Sequence, residues 1–317
     1  MKKILFAAIP IIVIALISAY HFYPSEIQNQ ETISATIIIT KNFGREVIQE
    51  NALTIPVGSS VLDALEKVAE VEKSYGGGFV TSINNMKSDY PDEKSDWFYY
   101  VNGFFANKGA SNYIITEGDS IRWDYHNWES QSQSAILADY PKHFIKGYAG
   151  KISPTVIIYD DEFFNEANKL KKQLNSQYGI NATYIQTEEV SMTEKMRANL
   201  IILATPNNSI VSELNENHQK IGFIAFFEGD SIIEKDHKGS PCGQYSNACM
   251  IQITQNIWNP KGNLACENVI LVISGTDMEI IRSSTDILIQ DSLKFKNYFG
   301  LIITEQSTFA LPACPTD

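Results

Sequence analysis

The residues able to do chemistry are few and widely spaced. Five histidines stand at His21, His126, His143, His218 and His237, and no two share a spacing that builds a metal site on one helix or turn. His237 with Cys242 and Cys249 comes nearest to a ligand set, but the spacing matches no familiar zinc pattern. No G-x-S-x-G elbow is present. Gly76-Gly77-Gly78 is followed by no Lys-Ser or Lys-Thr, so it reads as entry into a strand and not as a phosphate loop. Asp160-Asp161 and Gly275-Thr276-Asp277 fall at strand–turn–helix junctions, where an open α/β sheet can hold a ligand. Each of these pairs also serves as a helix cap. The chain is therefore expected not to be an enzyme, with an α/β hydrolase-like enzyme as the least favoured alternative.

Rings offer more than acids or nucleophiles do. The stretch 96–125, DWFYYVNGFFANKGASNYIITEGDSIRWDY, gathers Trp97, Phe98, Tyr99, Tyr100, Phe104, Phe105, Tyr113, Trp123 and Tyr125. Trp97 to Val101 reads as a strand, Asn102-Gly103 as a tight turn, Phe104 to Ala106 as the start of the return, and Ser120 to Tyr125 as a further strand after Gly118-Asp119. Alternation sends Trp97, Tyr99 and Val101 to one face and Phe98 and Tyr100 to the other. One face must be core. The other could bind a flat, partly apolar ligand or a glycan, because rings give large contact area at low entropy cost.

The four cysteines, Cys242, Cys249, Cys266 and Cys314, are an even count that suits disulfides in an oxidising compartment. Cys242 with Cys249, across a short polar loop, is the first expected pair, leaving Cys266 with Cys314 to tie down the tail. An apolar run from Ile4 to Tyr20 behind Lys2 and Lys3 is expected to be a membrane anchor or a signal. The charge in front of it sends the rest of the chain outward. A formal net charge of -12 over 317 residues excludes nucleic-acid backbone binding as a leading function.

These residues must be positioned by two units. Residues 21–32 read as a stalk. SATIIIT (34–40) and 47–55 are strands, and Ser60 with Asp63 opens a helix in capping-box fashion, with Val61, Leu62, Leu65, Val68 and Ala69 on one face. Strands 79–84 and 97–125 complete an α+β unit over 33–127, β-grasp-like in order. Residues 128–152 read as a linker. From 153 to 305 strands at 155–159, 182–185, 200–204, 221–227, 249–254 and 269–274 alternate with helices at 161–178, 209–217 and 277–289. That is an α/β domain with a mostly parallel sheet, followed by a tail over 306–317.

GSSVLDALEKV (58–68), GGFVTSIN (77–84) and WFYYVNGFFANKGASNYIITEGDSIRWDY (97–125) together resemble the transcobalamin-like C-terminal domain, over residues about 35–126. The likeness rests on the VLDAL helix, W-x-Y-Y-V-N-G, G-A-S-x-Y and G-D-x-I-x-W, in that order. It implies a non-covalent small-molecule ligand, a corrinoid such as cobalamin, contacted by Tyr99, Asn102, Phe104, Ser111, Tyr113 and Trp123. On that reading Trp97 is core, while Tyr113 and Trp123 face the ligand. The helical barrel that completes the pocket in animal carriers has no counterpart here. IWNP…ENVILVISGTD in the second unit resembles segments of archaeal surface-layer and envelope proteins. The expectation is an extracytoplasmic, membrane-anchored binding protein, or alternatively a structural or adhesive envelope module with protein partners.

Overall fold

β-Branched residues at 36–39 set β1 (Thr32–Lys41) beside β2 (Glu46–Pro56). The turn between them holds Asn42, Phe43 and Gly44 at positive φ. Gly44 is needed there, since a Cβ would lie 1.8 Å from the Asn297 carbonyl oxygen. In this computed structural model the described residues are 31–75, 78–89, 92–129, 133–290 and 295–314. The expected anchor (1–20) and nearly all of the stalk fall outside them. Among the described residues no helix is long and apolar enough to cross a membrane.

Ser60 and Asp63 form the capping box of α1 (Val61–Glu66), which buries Val61, Leu62, Ala64 and Leu65. A small sheet follows, made of β3 (Val71–Ser74), β4 (Phe79–Ile83) and β5 (Met86–Lys87). The ring-rich stretch folds as β6 (Ser95–Val101), β7 (Phe104–Phe105) and β8 (Asp119–Asn127), turning at Asn102-Gly103 with φ of 52° and 82°. The five-stranded sheet runs β2-β1-β8-β6-β7. β1 and β8 are parallel, with Ile37 opposite Ile121; β6 and β8 are antiparallel, with Tyr99 opposite Trp123.

The stretch expected as a linker is mostly packed. Residues 133–141 are all buried, and α2 (Lys142–Ile145) follows. Ile136 N–H donates to Gly103 O, and Leu137 N–H donates to Phe299 O. Ile33–Asp317 cluster as one compact unit.

The second half is built on β9 (Thr155–Tyr159), α3 (Phe164–Tyr178), β10 (Thr183–Gln186), α4 (Met192–Arg197), β11 (Asn199–Ala204) and α5 (Ser209–Glu216). It continues through β12 (Ala225–Glu228), β13 (Ser231–Lys235), β14 (Pro241–Tyr245), β15 (Ala248–Gln255), β16 (Val269–Gly275), α6 (Met278–Gln290), β17 (Gly300–Thr304) and β18 (Thr308–Leu311). Its seven-stranded sheet runs β10-β9-β11-β16-β15-β17-β18. The fold is mixed α and β, with several sheets and few helices.

Three expectations change. The large sheet is parallel only from β10 through β16, and its remaining pairings are antiparallel. β15 and β16 are joined by a loop without a helix and pair as antiparallel neighbours. The strand expected at 221–227 leaves this sheet. A two-residue turn at Gly229-Asp230 folds β12 onto β13, and β14 completes a separate three-stranded sheet. The tail is also structured, since β18 pairs with β17.

The disulfide joins Cys242 to Cys314, not Cys242 to Cys249. The reason is the hairpin. Buried Glu234 on β13 accepts the backbone N–H groups of Ala313 and Cys314 and so draws the tail across β14. Cys249 and Cys266 stay reduced and buried. Burial pushes the Cys249 thiol up to about 12 and the Cys266 thiol up to about 11.

Closing a loop over a sequence separation of 72 removes unfolded-state entropy, and Cys314→Ser is expected to cost about 4 kcal/mol by that measure. Thermal denaturation of the two forms checks it. A thiol reagent should find no reactive cysteine in the native protein and two after denaturation; fast native labelling would contradict the burial of Cys249 and Cys266.

Candidate functional site

Five of the six residues expected to touch a ligand are buried. Tyr99 is stacked on Trp123 with centroids 5.0 Å apart, and its hydroxyl donates to Lys108 O. Asn102 is fully buried: Nδ2 donates to Asp119 Oδ1 and to Gly147 O, both at 2.8 Å, and Oδ1 accepts Ser120 N–H at 2.9 Å. Phe104 is fully buried between the rings of His143 and Tyr148. Tyr113 OH donates to Asp119 Oδ2 at 3.3 Å and accepts Ala149 N–H at 2.9 Å. Burial drives the Tyr113 phenol far above its usual value. Trp123 is 2% exposed. Ser111, on the 107–116 loop, is half-buried.

Neither face of the ring-rich sheet is open. One is closed by α1 and the other by the second half of the chain. There Phe299 meets Phe43 and Tyr100 edge-on, each at 5.6 Å. That second face carries a polar row, Ser120, Arg122, Asp124 and His126, all buried, of which only His126 was among the residues named from the sequence as able to do chemistry. Ser120 Oγ donates to Asp139 Oδ1 at 2.7 Å. Arg122 Nε stands 3.6 Å from Asp139 Oδ2, and Nη1 donates to Asn297 Oδ1 at 3.0 Å. Asp124 accepts from Thr40 Oγ1, Phe43 N and Gly44 N, and lies 2.7 Å from His126 Nδ1.

An Asp–His pair of this kind orients a general base in hydrolases. Here the imidazole is stacked between Phe43 and Phe98, each at 4.5 Å, with Phe299 edge-on. Its Nε2 meets no hydrogen-bond partner. The pair lies inside the core, among rings, and its chemistry is that of a structural clasp.

The junctions at Asp160 and Thr276 arrive at the same end of the parallel strands. Asp160 works as a strut, accepting Thr187 Oγ1 at 3.0 Å, Thr205 N–H at 3.1 Å and Asn208 Nδ2. Asp161 accepts Gln186 Nε2, and Asp277 Oδ1 accepts Ile280 N–H at 2.9 Å at the start of α6. The side chains of Asp160 and Asp161 therefore cap no helix, contrary to expectation, and beside these junctions two open depressions adjoin around the amino end of α6, sharing Asn247. One, of about 300 Å³, is lined by Thr205, Asn207, Asp230, Asn247 and Thr276. The other, of about 700 Å³, runs along Ile280, Ser283, Ile287 and the β17–β18 turn, Thr304 to Thr308. Gly275 forms part of the smaller one, where a Cβ would meet Ala248 O at 2.3 Å. Among the described residues the one group with metal-ligand geometry is Glu234 with Cys242 and Cys314. Its two sulfurs are joined in the disulfide.

A family model described as a domain of unknown function (DUF4430) matches residues 58–127, overlapping the segment that resembles the transcobalamin-like domain. No curated protein matches the chain. Among solved structures, haptocorrin in complex with Cbi matches at 19% identity and a TM-score of 0.28, over 32% of this chain and 27% of haptocorrin. The chain thus spans about a quarter of that relative's length. A protein from Ruminococcus gnavus ATCC 29149, described provisionally as metal binding, matches at 16% identity and a TM-score of 0.24. That match covers 30% of this chain and 98% of the other.

Burial of Tyr113 and Trp123 predicts that Tyr113→Ala and Trp123→Ala each destabilise by about 3–5 kcal/mol, the cost of deleting a large core ring. Urea unfolding measures it, and a loss below about 1 kcal/mol would return these rings to the surface.

His143 gives a pH prediction. It is fully buried, with neither ring nitrogen bonded to another side chain. Burial pushes its imidazole down to about 4, against the pull of Asp139. Above pH ~6.5 the ring is neutral in both states; as pH falls from there toward 4 the unfolded chain takes the proton first, and stability drops by about 3 kcal/mol. The loss should be smaller in His143→Phe. Equal pH slopes for the two proteins would show that His143 does not titrate this way.

Proposed function

We propose that the protein is an extracytoplasmic, non-enzymatic ligand-binding protein, held at the envelope by its apolar amino-terminal run. It takes a broad ligand edged with hydrogen-bonding groups at the groove around α6. The observation that carries this reading is the pair of joined depressions at the carboxyl ends of β11 and β16, the end at which open α/β sheets hold ligands. Their walls mix hydroxyl and amide groups with the aliphatic side chains of Ile280, Ile287 and Ile303. Such a surface suits a flat ring bearing amides, and the transcobalamin-like resemblance of residues 35–126 makes a corrinoid such as cobalamin the first ligand to try. The parallel β1–β8 pair with α1 beside it supports the β-grasp-like reading of that segment. The Cys242–Cys314 disulfide supports an oxidising compartment.

A second reading has its own observation. β2 is an edge strand of eleven residues, and Val47 and Ile48 are 47% and 41% exposed. An edge of that length is a template for strand addition, which suits a structural or adhesive envelope module.

The test is titration of the full chain with cyanocobalamin and cobinamide, followed by absorbance and calorimetry. Asn247→Gly removes the shared side chain at a position already at φ 48°, so the backbone is unstrained. Loss of one hydrogen bond there should weaken binding about three- to tenfold. No heat and no spectral change with either ligand would end the corrinoid reading. Binding untouched by Asn247→Gly would move the site away from the groove.

A further inference from the structure

At the opposite end of the same strands the chain builds a second, differently charged pocket. Its volume is about 380 Å³, and its walls carry Lys151, Arg197 and Lys261 with one acid, Glu267. The chain as a whole has 37 acidic against 25 basic side chains, so three cations to one anion is a local inversion. The cations come from three separate segments: the approach to β9, the last turn of α4, and the loop between β15 and β16.

Buried amides hold these segments together. Asn256 Nδ2 donates to Lys195 O at 2.6 Å. Asn268 Nδ2 donates to Ala198 O at 2.7 Å and to Met196 O at 3.2 Å. Asn199 Nδ2 donates to Ser153 O, and its Oδ1 accepts Val269 N–H. Asn259 Nδ2 donates to Asn268 Oδ1 at 2.8 Å, and its Oδ1 accepts Lys261 N–H at 2.9 Å. All four asparagines are buried. The end of α4, the 151–153 segment and the 256–268 loop are thus clamped at the points that bear the charges.

A cation in the last turn of a helix has an ordinary reason, the helix dipole. That accounts for Arg197 but not for Lys151 or Lys261. Lys261 is paired with Glu267. Lys261 and Asn259 hold the Glu267 carboxyl below its usual range, with Lys151 adding to the pull, so two lysines crowd one carboxylate. Neither Lys151 nor Arg197 appears in an ion pair among the described residues. Among the described residues Glu267 is the one acid in the lining, against three cations, so the pocket wall keeps a net positive charge.

We infer that this pocket is a binding site for a phosphate group, held by Lys151, Arg197 and Lys261 on a frame fixed by Asn199, Asn256, Asn259 and Asn268. A phosphate group, doubly charged as a monoester and singly charged in each diester unit, offsets the unpaired cations, and the guanidinium can bind two of its oxygens at once. The phosphate could belong to a small soluble ester or to a repeating phosphodiester polymer of the envelope, and the two arms of the test separate them.

Calorimetry and phosphorus NMR on the full chain at low salt use glycerol 3-phosphate in one arm and a poly(glycerol phosphate) in the other. Binding in either arm supports the site, and the tighter arm names the source. Affinity should fall as salt rises. Lys151→Gln with Arg197→Gln should weaken binding at least about tenfold, the scale of losing charge-assisted hydrogen bonds. Glu267→Gln, which frees Lys261, should tighten it. These side chains are exposed or half-buried, and circular dichroism confirms that the variants fold. No binding in either arm at about 20 mM, a level far weaker than ordinary recognition, overturns the proposal. So does a double variant that binds like the parent, or acetate bound as well as phosphate.

Discussion

The guanidinium of Arg122 is the constraint around which the molecule closes. It is the largest side chain with no access to water, and it sits on the face of the five-stranded sheet away from α1. A buried charge left without partners costs several kcal/mol, and its partners are not local. Asp139 comes from the segment after β8, and Asn297 lies 175 residues further along the chain. Asp124, next on the same face, draws in Thr40 and the amides of Phe43 and Gly44. The turn those amides form is the one that approaches Asn297 too closely for any side chain at Gly44. The polar row of β8 therefore requires the 133–148 segment and the 295–299 segment to lie on it.

That closure decides where a ligand can go. A sheet dense in rings becomes a binding face only if one side stays open, and here Phe43, Tyr100 and His126 are met edge-on by Phe299. Asn102 and Tyr113, which look suited to hydrogen-bonding a ligand, spend those bonds on Asp119, Gly147, Ser120 and Ala149. The rings fix the shape of the framework. The open depressions lie instead at the ends of the larger sheet, where loops and helix ends leave polar groups at the surface.

Elements with a local signal were legible in the sequence. The capping box at Ser60 and Asp63, the Asn102-Gly103 turn, the apolar strands β9, β11 and β16 and the helix α6 after Gly275 each follow from a few neighbouring residues. The polar row of β8 was not. Ser120, Arg122, Asp124 and His126 alternate with Ile121, Trp123 and Tyr125, which is also the pattern of a strand with one wet face. Only partners far along the chain make that face dry. The disulfide was misread for the same reason: Cys242 and Cys249 are near in sequence, whereas the bond to Cys314 depends on Glu234 capturing the tail. The groove around α6 was half legible, since its junctions could be named as strand ends but not as neighbours.

The two ends of the parallel strands carry opposite chemistry. At the carboxyl ends, Asp230, Asp277, Glu279 and Glu305 sit among neutral hydroxyls and amides; at the amino ends, Lys151, Arg197 and Lys261 converge. A net charge of -12 taken alone repels anions from the whole surface. At physiological ionic strength, however, exposed charges are largely screened beyond about 8 Å. An ion seated in the amino-end pocket feels the three cations and the single carboxylate of Glu267 beside it far more than the distant acids. Local geometry, held by four buried asparagines, therefore sets the sign of the site against the sign of the protein.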